Sequence, residues 1–258
     1  MADPHSHPPR KPGFEGDDPS AQTLAPEPRS VDAGRGIAWL TEGWDFFRRT
    51  PLNWIAMAVL VLIGVMAVAW IPVVGQLVTT LLSILFAGGL MLGCRALDRG
   101  EDLAVAHLFA GFRTHLSPLL VIGALYVAGL FILIVTVSLL TGGAVLALIR
   151  GDVDAGGALA SVLVALLASA VMLVPLGMAT WFAPALVTLQ RMAPVDAMKL
   201  SFRGCLRNVS AFLVYGVLCL ILSLLATLPA GLGWLVFLPV LAASVYAGYK
   251  DIFLHREG

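Results

Sequence analysis

Charge is what this chain has least of. Asp, Glu, Lys and Arg make up 12% of its 258 residues, half of the roughly 25% usual in soluble domains. The two signs cancel at 16 each, so no basic bias draws the chain to nucleic acid, and no zinc-ligand spacing or basic-aromatic motif is present. Cysteine is scarce as well. Cys94, Cys205 and Cys219 are too few and too scattered for a disulfide framework and read as free thiols. The sequence holds no GxSxG, HExxH, P-loop or glycine-rich dinucleotide fingerprint, so no enzyme class is indicated and no cofactor is expected. Near the start no apolar stretch follows the first basic residues, and the first hydrocarbon run begins some fifty residues in. The expectation is that no signal peptide is removed and that the spans are retained.

What the chain does have is hydrocarbon. Hydrophobic residues are 59% of the total and mean hydropathy is +0.91, the composition of an integral membrane protein. The exception is the first 32 residues, which hold seven of the fifteen prolines among Asp, Glu, Ser, Gly and His. Such a segment cannot bury enough apolar surface to offset its ordering entropy. It predicts a disordered cytoplasmic tail over 1–32, followed by a transmembrane domain over 33–258.

A bilayer core about 30 Å thick needs roughly 20 apolar residues per helix. Six runs qualify: Pro51 to Ile71, Gln76 to about Leu97, Pro118 to about Ile149, Ala158 to Gln190, Val209 to Leu228 and Gly233 to about Tyr249. The expected fold is therefore all-α, a polytopic bundle of six transmembrane helices. The third and fourth runs are too long, which predicts a break or bend at Thr141-Gly142-Gly143 and kinks at Pro175 and Pro184. Fifteen of the sixteen Lys and Arg residues lie ahead of the first span (1–50), in the 95–117 link, in the 191–208 link and at the C-terminus; the other turns hold only Arg150. The positive-inside rule then puts both termini and both links on the cytoplasmic side of the membrane. Trp54, Trp70, Trp234, Tyr246 and Tyr249 fall where aromatic belts are expected.

Three amphipathic stripes precede spans. Ile37, Leu40, Trp44 and Phe47 form the first, with Trp39 and Phe46 on the reverse side. Val105, Leu108, Phe109, Phe112 and Leu116 form the second, and Val195, Met198, Phe202, Cys205 and Leu206 the third. Each runs through a Phe-Arg pair (Phe47-Arg48, Phe112-Arg113, Phe202-Arg203) into a span, suggesting three repeats of an interfacial helix followed by a helical hairpin. In this reading Arg48, Arg49, Arg113, Arg203 and Arg207 contact lipid headgroups, each worth about 1 kcal/mol near an anionic surface.

The central parts of all six spans lack ionisable side chains, which argues against a proton-coupled pump or voltage sensor. Gln76, Thr79, Thr80, Ser83, Thr136, Ser138, Thr180 and Ser223 read as interhelical hydrogen-bonding groups, with a polar transport path as the alternative. Gly89 and Gly93 form a GxxxG pattern that allows close helix approach, either within the chain or at a dimer seam. Cys94, His107, His115 and Cys205 all fall near the cytoplasmic surface but match no metal-ligand spacing, so no metal site is expected.

The runs "RGIAWLTEGWDFFRRTPLNW", "AHLFAGFR", "APALV", "CLRNVSAFLVYG" and "YAGYKDIF" resemble a family of uncharacterised six-span bacterial inner-membrane proteins, over about residues 34 to 254. That resemblance implies the architecture and carries no catalytic residue or substrate. A looser likeness, to the membrane domain attached to some glycerophosphodiester phosphodiesterases, implies architecture alone, since no soluble catalytic domain is present here.

The expected function is a non-enzymatic accessory, scaffolding or envelope-organising bundle. Its partners would be the phospholipid bilayer and either another membrane protein or a second copy of the chain. A transporter or channel for an apolar or lipid-like solute is the alternative, and an enzyme is the weakest reading. The orientation is directly testable. A topology reporter fused at Asp152 is expected to score as periplasmic and one at Lys199 as cytoplasmic, and the reverse pattern overturns the assignment.

Overall fold

The computed structural model describes residues 24–72, 74–151 and 154–255; of the tail predicted over 1–32, residues 1–23 lie outside them. The elements are α1 (Arg35–Arg49), α2 (Pro51–Ala69), α3 (Val74–Asp98), a 3-10 turn (Val105–Phe109), the short α4 (Ala110–Thr114), α5 (Leu116–Arg150), α6 (Ala155–Trp181), α7 (Ala183–Gln190), α8 (Pro194–Arg207), α9 (Val209–Thr227) and α10 (Trp234–Phe253). Among the described residues six spans, in α2, α3, α5, α6 with α7, α9 and α10, are long and apolar enough to cross a membrane, as the hydrophobic runs predict. Pro51 and Pro194 sit in first turns, where a missing N–H costs nothing.

The excess length is handled differently in the two long spans. α5 runs unbroken through Thr141-Gly142-Gly143, contrary to the predicted break. Its 35 residues extend for about 52 Å at 1.5 Å each. Two glycines weaken a helix by about 1 kcal/mol each, whereas interrupting it in lipid strips backbone groups of partners at several kcal/mol apiece. The fourth span does break, at Phe182, between α6 and α7. Pro184 has no N–H and would crowd the carbonyl four residues back, so the helix restarts with this proline in the first turn of α7. The Ser201 hydroxyl of α8 fills the gap. It accepts a hydrogen bond from the Phe182 N–H at 3.0 Å and donates one to the Met178 carbonyl at 2.6 Å, replacing the backbone bond between those two residues. Pro175 is carried inside α6.

The three hairpins (α2 with α3, α5 with α6 and α7, α9 with α10) are interlocked by the segments that precede them. α1, which leads into the first hairpin, lies on α9 and α10 of the third. The 3-10 turn and α4, which lead into the second, lie on α3 of the first, and α8, which leads into the third, lies on α6 and α7 of the second. Each preceding segment thus rests on the hairpin of the unit before it, in a closed cycle. An aromatic cluster joins the second and third hairpins at this link end: Phe182 stands 5.8 Å from Phe212 and 5.2 Å from Phe253, and Trp181 edges Tyr215 at 6.2 Å.

The faces that make these contacts differ from the predicted stripes. On α1 the buried residues are Gly36, Trp39, Leu40, Gly43, Phe46 and Phe47, while Ile37 and Trp44 are exposed. On α8 they are Ala197, Ser201, Gly204 and Cys205, while Val195 and Leu206 are exposed. The second stripe is not one helix, because a 3-10 turn and a single α turn replace it. Close approach explains the choice of face. A Cβ on Gly36 would overlap the Ala211 carbonyl of α9, and one on Gly43 would sit 2.5 Å from the Val240 carbonyl of α10. Gly89 and Gly93 serve the link in the same way: a Cβ on Gly89 would meet the His107 carbonyl at 2.6 Å, and one on Gly93 the Leu103 side chain at 2.8 Å.

α10 is the most enclosed span, with 61% of its most apolar stretch buried against 6% for that of Leu159–Gln190. Its last two turns carry the polar locks. Buried Asp251 accepts from Arg35 Nε at 2.5 Å and Trp39 Nε1 at 2.8 Å, and Arg35 also pairs with Glu42 at 2.7 Å. Burial alone would lower the Arg35 pKa, but its two carboxylate partners outweigh that and raise it. Lys250 pairs with Asp98 of α3 at 2.8 Å, and the Tyr246 hydroxyl donates to the same carboxylate at 3.2 Å. Gln190 donates to the Tyr249 hydroxyl at 2.7 Å, and Tyr215 of α9 shares a 2.7 Å bond with Ser244. Tyr246, Tyr249 and Trp54, predicted for aromatic belts, are therefore core residues; the Trp54 indole donates to the Phe46 carbonyl at 3.2 Å. Trp70 is exposed at the other end of its hairpin, as predicted.

Residues 24–31 have the composition of the tail yet run along the C-terminus. Ala25 N–H donates to the Phe253 carbonyl at 2.7 Å and Arg29 N–H to the Ile252 carbonyl at 2.8 Å. Asn208, 1% exposed, accepts from Val31 N–H at 2.7 Å and donates to the Arg29 carbonyl at 2.8 Å. Pro26 and Pro28 have no N–H to satisfy, so a proline-rich strap costs little where a partner lies on one side only.

Two substitutions test these supports. Ser201→Ala leaves the Phe182 N–H without a partner and the Met178 carbonyl with only the weak Cys205 thiol bond at 3.6 Å, and should cost about 1–3 kcal/mol; thermal unfolding in detergent reads this as a lowered Tm, while exposed Ser210→Ala leaves Tm unchanged. Asp251→Ala leaves the Trp39 indole N–H without this partner and Arg35 with Glu42; the loss of two hydrogen bonds to a charged group, about 1.5–3 kcal/mol each, should make this the larger drop of the two in the same measurement.

Candidate functional site: an apolar cavity inside the bundle

The break at Phe182 leaves space beside it. A half-open cavity of about 510 Å³ lies between α2, α3, α5, the α6–α7 break and α10, a volume in the range of small-molecule sites. Met57 and Ala58 of α2, Ala87 and Met91 of α3, Pro184 of α7 and Val245 of α10 give it an apolar wall. Ser83 and Trp181 are the exposed members of that wall.

Its serine and threonine hydroxyls already have partners, and Tyr126 of α5 adds a phenol to the wall. Thr80 donates to the Gln76 carbonyl at 2.8 Å, Ser83 to the Thr80 carbonyl at 2.7 Å and Thr180 to the Leu176 carbonyl at 2.9 Å. They can accept a hydrogen bond but do not converge on a polar solute. Among the described residues no carboxylate, imidazole, thiol, Lys or Arg is on the wall. The arrangement is suited to hydrocarbon with one weakly polar group.

The spans' hydroxyls thus depart from the reading as interhelical bonds. Thr80, Ser83, Thr136, Thr180 and Ser223 all bond to carbonyls three or four residues back in their own helices. The buried Thr79 hydroxyl has no hydrogen-bond partner. Interhelical bonds come instead from Ser201, Tyr215, Gln190, Trp39 and Tyr246, and from Asn53, whose amide reaches across to the Leu103 carbonyl at 2.5 Å.

The predicted headgroup arginines are all exposed at the link end. Arg48 pairs with Asp45, Arg49 lies 5.2 Å from the Phe46 ring centre, and Arg207 pairs with Glu27 at 3.1 Å. Arg113 and Arg203 extend from α4 and α8. None of the five reaches the cavity wall. Cys94 and Cys205 are buried apart from the two histidines, and among the described residues no group of three or more His, Cys, Asp or Glu side chains gathers as a metal site. Burial pushes the Cys205 thiol up to about 12 despite a hydrogen bond with Ser201, which keeps it protonated and unreactive. His107 and His115 do come together, on the wall of a second, polar cleft at the link end.

Of the residues that line the cavity, the sequence marks Thr80, Ser83 and Thr180 as polar groups of the spans, Trp54 as a belt aromatic and Pro184 as a kink, and none of the apolar wall. Pro184 was the available signal: a proline deep in a span leaves room beside the helix that it interrupts.

No protein-family model matches the chain, and no solved structure matches it. It is similar to a probable inner membrane protein of Burkholderia thailandensis, 32% identical over 254 aligned residues that cover 88% of this chain and 94% of the relative. With six membrane-crossing helices in hairpins and that relationship along nearly its whole length, the chain belongs to this family of bacterial inner-membrane proteins.

Proposed function

We propose that the protein is a non-enzymatic inner-membrane bundle that takes a lipid-like apolar molecule into the cavity beside the α6–α7 break, with the link end and both termini in the cytoplasm. The observation that carries this reading is the cavity itself, about 510 Å³ with a largely apolar wall whose serine and threonine hydroxyls are already bonded. An acyl chain or a comparable hydrocarbon fits such a wall, and a polar solute would leave its own hydrogen bonds unmet. This favours the transport or holding of an apolar solute over a purely structural role.

A second reading, a scaffold that docks another membrane protein or a second copy, is supported by the α5–α6 hairpin. The two helices pack chiefly on each other, and the most apolar stretches of their spans are only 17% and 6% buried.

Native mass spectrometry of gently extracted protein separates these readings. A retained lipid-like adduct is expected in the wild type, lost in Ala87→Trp, which fills the cavity, and kept in Leu206→Trp on the exposed face of α8. An adduct that survives Ala87→Trp, or a wild-type chain with no adduct, overturns the cavity reading; a stoichiometric protein neighbour crosslinked to α5 or α6 favours the scaffold.

A further inference from the structure

We propose that the cleft at the link end, walled by the ends of α3 and α7 and by the 3-10 turn, binds a phosphate group. The cleft has a volume of about 860 Å³ and is separate from the apolar cavity, with different residues on its walls. Arg95 in the last turn of α3 and Arg99, the residue that follows the helix, both line it. Arg191 enters from the end of α7, and His107 and His115 from the 3-10 turn and the residue after α4. Among the described residues of the wall Glu101 is the one carboxylate beside Arg95, Arg99 and Arg191, so arginine outnumbers carboxylate there even with both imidazoles neutral. Like charges brought together repel, and a bound anion removes that cost. Guanidinium forks match the oxygens of phosphate in geometry as well as charge.

The backbone at Arg191 adds an independent observation. Arg191 ends α7 in the left-handed conformation, φ 54° and ψ 31°, with its N–H on the Leu186 carbonyl. Glycine is the usual residue at such a cap, because an L side chain is strained there. Glycine would make the turn equally well, so what arginine adds is its side chain at the cleft wall. The electrostatics agree. Burial, then Arg191 and Arg95, hold the His115 imidazole below its ordinary pKa, with Thr114 Oγ1 at 2.8 Å from its Nδ1. Arg95 also reaches the Leu189 carbonyl at 3.4 Å, which ties α3 to the end of α7 across the cleft.

Two sources could supply the group, a soluble phosphate or the headgroup of an anionic lipid, and one experiment separates them. The full chain is placed in nanodiscs of neutral phosphatidylcholine, and the His115 ring is followed by NMR while inorganic phosphate is added. A parallel sample carries phosphatidic acid in place of free phosphate. A shift of the His115 signal towards the protonated ring is expected in at least one arm, and the arm in which it occurs names the source. Arg191→Gly should weaken that response by about tenfold or more while its Tm stays the same or rises, since glycine relieves the cap. Arg150→Ala, at the opposite end of the bundle, should bind as the wild type does. A His115 signal that ignores both phosphate and phosphatidic acid overturns the proposal, as does an Arg191→Gly protein that binds as tightly as the wild type. The proposal does not rest on the cavity's occupant: Ala87→Trp should leave phosphate binding intact.

Discussion

An apolar side chain gains almost nothing by leaving lipid tails for a protein interior, so hydrophobicity cannot decide which face of a membrane helix turns inward. What decides it here is how closely backbones can approach and which polar groups find partners. Gly36 and Gly43 admit α9 and α10, and Gly89 and Gly93 admit the 3-10 turn. Asp251, Asn208 and Ser201 lock the elements that have been brought close. Most leucines and valines of α5, α6 and α9 are left outside. The interior is concentrated at one end of the molecule, where the links supply polar partners, and thins out along the long hairpin of α5 and α6.

The same constraint explains which parts of the fold were legible. Length and hydropathy locate the six spans to within a few residues, because crossing a bilayer is a demand on length and composition alone. The phase of α1 and α8 was not legible from their large apolar residues. Ile37, Trp44, Val195 and Leu206 mark faces that end up exposed, while the small residues between them mark the contacts. Trp54, Tyr246 and Tyr249 sit at the depth expected of belt aromatics, but depth along a helix says nothing about rotation around it. The break at Phe182 was half legible. Pro184 announces it, but its hydroxyl partner Ser201 lies nineteen residues on, in another helix.

Much the same holds for the two concavities. The arginines picked out by the repeated Phe-Arg pairs point outward at the link end, whereas those that line the cleft are Arg95, Arg99 and Arg191. The spacing of Arg95 and Arg99 was visible in the sequence. That Arg191 joins them depends on α7 ending beside α3, which only the packing provides. The apolar cavity needs even more of the structure, since its wall is drawn from five spans.

The strap from Leu24 to Val31 has a consequence for how the molecule is made. Its partners, Asn208, Ile252 and Phe253, and the Asp251 that holds Arg35 and Trp39, are all far along the chain. A chain inserted from its N-terminus exposes the strap and α1 before α10 exists. These earliest segments must wait at the membrane surface, polar groups hydrated, until the final hairpin arrives. The first and last described segments therefore close the structure together, and a chain interrupted before its last twenty residues would leave its own beginning without a place to dock.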